Sequence, residues 1–103
     1  MTDVPRGRNR VEVVLSGPVT VDSLQPVKRC LLQLLGSSDT YLIHGADVTR
    51  MDAAGAQLLQ AFVHEIAQRG GTVRWVAASR DLMTAARALG VASGLGLSDN
   101  VVV

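Results

Sequence analysis

The chain has 103 residues, 48% of them hydrophobic and only 3% aromatic, enough for one domain with an aliphatic core and no covalent staples. Ten Lys and Arg against nine Asp and Glu leave a formal charge of +1, which argues against a broad nucleic-acid surface. The lone cysteine, Cys30, excludes an internal disulfide and any zinc site built on Cys pairs.

The opening MTDVPRGRNR is polar, contains Pro5 and Gly7, and lacks the apolar segment of a signal peptide. Residues 1–10 are therefore expected to form a flexible arm, with residues 11–103 as one folded domain. No stretch reaches the ~18 apolar residues of a membrane helix, so a cytoplasmic protein without direct membrane insertion is expected. Val11, Val13 and Leu15 alternate with Glu12, Val14 and Ser16 as in a strand with one apolar face. Gly17-Pro18 predicts a break, and Val19 a short second strand, antiparallel because so short a connection cannot make a parallel crossover. A helix over about 23–35 follows, capped by Asp22 or Ser23, with Leu24, Val27, Leu31, Leu34 and Leu35 inward and Gly36 at its end. Cys30 within it reads as a packed small hydrophobe.

From Tyr41 to Ile66 the period changes. Tyr41 to Gly45 is an apolar strand, a polar turn follows, and Leu58, Leu59, Phe62, Val63 and Ile66 form one helical stripe over about 53–69. Asp52 suits the N-cap, where its carboxylate accepts from the free N–H of Ala54 or Gly55 and opposes the positive helix end. This turn points a helix N-terminus at solvent and is the expected place of function. Arg50, Met51 and Gln57 flank it; exposed, they contact a partner, while the bland alternative makes Met51 a core plug and leaves the other two solvated.

Gly70-Gly71 ends that helix, Thr72 to Ala77 reads as a strand, and Ser79 caps a helix over about 80–89 with Leu82, Met83, Ala86 and Leu89 inward. Val101 to Val103 could add a few residues of strand. Two strand-helix-strand units predict an α/β layer fold: a mixed four- to five-stranded sheet, its first pair antiparallel, with helices mainly on one face. The expected core is Val13, Leu15, Leu31, Ile43, Leu58, Phe62, Ile66, Val73, Trp75 and Leu89.

His44 and His64 show no metal-ligand spacing with Asp47 or Glu65, and Ser16 and Ser79 lack a G-x-S-x-G elbow. No enzyme activity, metal or cofactor is expected. A nucleotide- or anion-binding alternative has only the helix start at Asp52 to Gly55 to use, and Asp52 would repel the ligand.

The run LIHGADVTRMDAAGAQLL, then GGTVRWVAAS, then ALGVASGLGL resembles the STAS domain, the module of sulfate transporters and anti-sigma factor antagonists. The signature of that family, an apolar strand, a few polar residues, then Asp-Ser-Ser-Gly or Asp-Thr-Ala-Gly opening a helix, stands here as Asp52-Ala53-Ala54-Gly55. The resemblance implies a non-enzymatic regulatory module that binds a protein partner through Thr20, Arg50, Met51, Asp52, Ala53, Ala54, Gly55 and Gln57. In the antagonist branch the partner is an anti-sigma kinase-like ATPase domain and the residue after the Asp is a phosphorylated serine; Ala53 cannot be phosphorylated. The Asp-x-Ala-Gly form is equally similar to STAS subunits of phospholipid-transport ABC systems, whose partner is a transporter ATPase, and to STAS proteins associated with chemotaxis kinases.

Overall fold

β-branched and apolar residues at alternating positions draw three stretches into one sheet: β1 (Arg10–Val19), β2 (Thr40–Met51) and β3 (Thr72–Ala78). A computed structural model describes residues 10–98. Between and after the strands lie α1 (Leu24–Leu34), α2 (Ala53–Gln68), α3 (Arg80–Ala88) and a single turn, α4 (Ala92–Leu95), with a 3-10 turn at Val21–Ser23 leading into α1. The strand order is β1-β2-β3 and both pairings are parallel. Parallel neighbours need a helical crossover, and α1 and α2 supply the two.

The architecture is the expected α/β layer fold, with two corrections to the sheet. Gly17-Pro18 does not break the first strand: Gly17 takes φ 74°, a left-handed value that glycine adopts without steric cost. β1 then continues to Val19, its register on β2 slipping between Val14 and Ser16 and again between Gly17 and Pro18. The antiparallel second strand is thus absent, and the described sheet is parallel with three strands rather than mixed with four or five. The expected arm, apart from Arg10, and the tail strand at Val101–Val103 lie outside the described residues.

One face of the sheet carries the core. Val13, Leu15, Tyr41, Ile43 and Trp75 point into it, and Leu31, Leu59, Phe62, Ile66, Leu82, Met83 and Ala86 meet them from the helices. Gly45 on β2 sits under α3, where an added Cβ would come within 2.9 Å of Leu82 and 3.0 Å of Trp75. Opposite the core, Glu12, Val14, Arg74 and Val76 are exposed and Leu42 and His44 half-buried. Two polar anchors tie the layers: the Tyr41 hydroxyl donates to Leu34 O at 3.0 Å and accepts from Gly36 N at 2.9 Å, while Trp75 Nε1 donates to Leu95 O at 2.8 Å.

Leu58 and Val73 pack against the core without full burial. Leu89 is 40% exposed, because α3 ends at Ala88 and the chain turns away through Gly90 at φ 74°. Leu95 and Leu97 close the core instead. Cys30 is exposed: of α1 only Leu31 is fully buried, so the buried stripe is too narrow to include a residue one position around the helix.

Candidate partner-docking site

Three parallel strands bring their carboxyl ends to one edge, where ligand sites of open α/β sheets form. Val19 pairs with Met51 there, and the chain leaves β2 through Asp52 into α2 and β3 through Ser79 into α3. The stretch read as a polar turn before Asp52 is the second half of β2, paired with β1 alone. Ser79 fixes it from the other side by donating its hydroxyl to Val48 O at 2.6 Å while accepting from Leu82 N at 3.0 Å.

Asp52 is the clamp of this edge. One carboxylate oxygen accepts from Gly55 N and the other from Val21 N, each at 2.9 Å. These N–H groups, Gly55 first and Val21 second, hold the carboxyl below its ordinary range. A single side chain therefore caps α2 and ties it to the chain leaving β1. Gly55 is required by the same closeness, because a Cβ there would collide with the carbonyl of Val19.

The expected contact residues divide by burial. Arg50, Ala53 and Gln57 are exposed, Asp52 and Ala54 are half-buried, and Met51 and Gly55 are buried. Thr20 is only 4% exposed, its backbone N–H donating to Ser23 Oγ at 3.0 Å. Thr20, Met51 and Gly55 lie deeper than Arg50, Ala53, Ala54 and Gln57, and Thr20 and Met51 line the open depression beside Asp52. Ser23 does not cap α1 as expected, since its hydroxyl is turned back to Pro18 O at 2.6 Å.

Residues from the third helix, not anticipated from the sequence, complete the edge. Thr49, Arg50 and Asp52 border an open depression of about 410 Å³ whose far wall is Asp81, Thr84 and Ala88 of α3. The missed signal was the length of β2, whose run to Met51 carries Thr49 and Arg50 past the end of its pairing with β3 and beside α3. Neither histidine lines this depression; His44 lies on the sheet face opposite the core, 2.6 Å from Glu12 Oε1. Of the N–H groups at the α2 start that the anion-binding alternative would use, Asp52 already engages that of Gly55. Among the described residues no three of His, Cys, Asp and Glu gather as a metal site, and no helix is long and apolar enough to cross a membrane.

The fold recurs in solved structures. The STAS domain of a SulP transporter from Vibrio cholerae is 18% identical with a TM-score of 0.65, matching 97% of this chain and 75% of that one. A sulfate transporter family protein from Wolinella succinogenes is 20% identical with a TM-score of 0.66, over 98% of this chain and 80% of that one. A protein named Mglu is 26% identical with a TM-score of 0.63 over 78% of this chain, which spans only 20% of its length. No curated protein matches the sequence. The family model described as "Mlab, STAS domain" matches residues 2–99, nearly the whole sequence, and the chain belongs to that family.

Proposed function

We propose that this STAS domain is a non-catalytic, cytoplasmic docking module that holds an ATPase-fold partner through the exposed surface of Arg50, Ala53, Ala54 and Gln57. The supporting observation is the Asp52 clamp: a carboxylate with both oxygens engaged sets α2 rigidly against β1 and leaves small side chains facing out. A preorganised surface of this kind binds without an ordering cost.

Ala53 makes the attachment constitutive. A phosphoserine there would add about −1.5 to −2 charges to the interface, and an alanine cannot be so modified. This distinguishes the chain from an anti-sigma factor antagonist switched at that residue. Among the partner classes, a transporter ATPase suits a permanent subunit better than a switched anti-sigma or chemotaxis kinase does. Purified candidates of the three kinds, titrated against the domain, separate them. Binding to the transporter ATPase alone is the expected result, and binding to a kinase-type ATPase alone would reassign the branch.

A further inference from the structure

Between α1 and α2 an apolar groove of about 290 Å³ stays open, away from the depression at the strand ends. Leu31 and Phe62 form its buried floor, and Leu32, 59% exposed, stands on one wall across from Leu58. Its two ends differ in charge. Glu65 and Arg69 pair at 3.0 Å and neutralise one end, while Lys28 at the other makes no ion pair among the described residues. The groove also continues the docking surface: Ala53, Gln57 and Ala61, four residues apart and all exposed, form one stripe of α2 from the Asp52 edge to the groove wall.

We infer that the groove receives an amphipathic helix with an acidic end, supplied by the same partner that docks at the Asp52 edge; in naming that partner the inference rests on the proposed function. The lining residues span roughly 10 to 16 Å along the two helices, two to three turns of a bound helix at 1.5 Å per residue. Such a helix lays apolar residues at i, i+3, i+4 and i+7 over Leu31, Leu58 and Phe62, and its carboxylate meets Lys28. The Lys28 ammonium selects acidic over basic helices, because a like charge at that end is repelled.

The test uses a synthetic helical peptide of about three turns with leucines at those positions and glutamates at one end, and a second peptide with lysines in place of the glutamates. Amide shifts in the full chain should move at Leu32, Leu58 and Ala61, and the lysine peptide should bind at least about tenfold more weakly. Lys28→Glu should reverse that preference and Leu32→Asp should abolish binding, both being surface changes the fold tolerates. The peptide does not engage the Asp52 edge, so failure of that edge as a docking site would not be mistaken for failure of the groove. Equal affinity for the two peptides, shifts confined to other residues, or no shift at all would overturn the inference. Self-association of the chain that Leu32→Asp disrupts would overturn it too, in favour of a second copy as the occupant.

Discussion

At Asp52 one carboxylate does two jobs that usually fall to separate residues. It caps α2 through Gly55 N and anchors the segment after β1 through Val21 N. Its pKa is lowered on folding, chiefly by the Gly55 and then the Val21 hydrogen bond. The sign follows: a depressed folded pKa contributes stability that is fully present above the ordinary carboxylate value of about 3.9 and is lost as pH falls through the lower folded value. Asp52→Asn should therefore lower stability at neutral pH and flatten its acid dependence, measured by urea titration at stepped pH. An unchanged acid limb would mean that the clamp does not persist in solution. Gly55→Ala should cost about 1 to 3 kcal/mol, as forced overpacking does, because the new Cβ meets the Val19 carbonyl; denaturant midpoints of the two proteins measure it. Asp52 as cap of the helix was legible from the residue type and its place before an apolar stripe. Its second bond was not, because nothing in the local sequence tells that Val21, thirty-one positions away, returns to the same edge.

At the scale of elements, the helices were readable and half of the sheet was not. Leu59, Phe62 and Ile66 recur at helical spacing and are buried as expected, since tertiary packing of a stripe depends on little beyond its phase. Strands tolerate slips that period-two reading does not. In β2 the buried residues Gly45, Val48 and Met51 are three apart, and the neighbouring register shifts account for that spacing, so this half of the strand looks like a polar turn. Gly17 similarly looks like a stop and is a kink within β1. The well-read elements give a quantitative check. Phe62, which packs edge-on to Tyr41 with ring centroids 5.7 Å apart, should cost about 3 to 5 kcal/mol when changed to Ala. Leu89→Ala, at an exposed position, should cost less than about 0.5 kcal/mol. Equal losses in chemical denaturation would contradict the observed end of α3.

For the whole molecule, parallel pairing decides where function can sit. It gathers the ends of β1, β2 and β3 and the starts of α2 and α3 at one edge, with the core on one face of the sheet and Glu12, Val14, Arg74 and Val76 exposed on the other. The candidate surface at Arg50, Ala53, Ala54 and Gln57 was legible because the four-residue motif marks it and a strand-to-helix junction exposes it. The α3 wall was hidden by the reading of residues 46–51 as a polar turn, which gives no reason for Asp81 and Thr84 to lie beside Thr49. At the same scale, the proposed attachment has no phosphorylation switch at residue 53, which lacks a hydroxyl.

Titration calorimetry of wild type and Ala53→Glu against the partner ATPase tests that account most directly, with circular dichroism to show that both are folded. A charge on the Ala53 surface should weaken binding at least about tenfold, or 1.4 kcal/mol, while Ala53→Ser binds as wild type until phosphorylated. Wild-type affinity in Ala53→Glu would contradict the account, because the Asp52 edge could not then be the surface the partner covers.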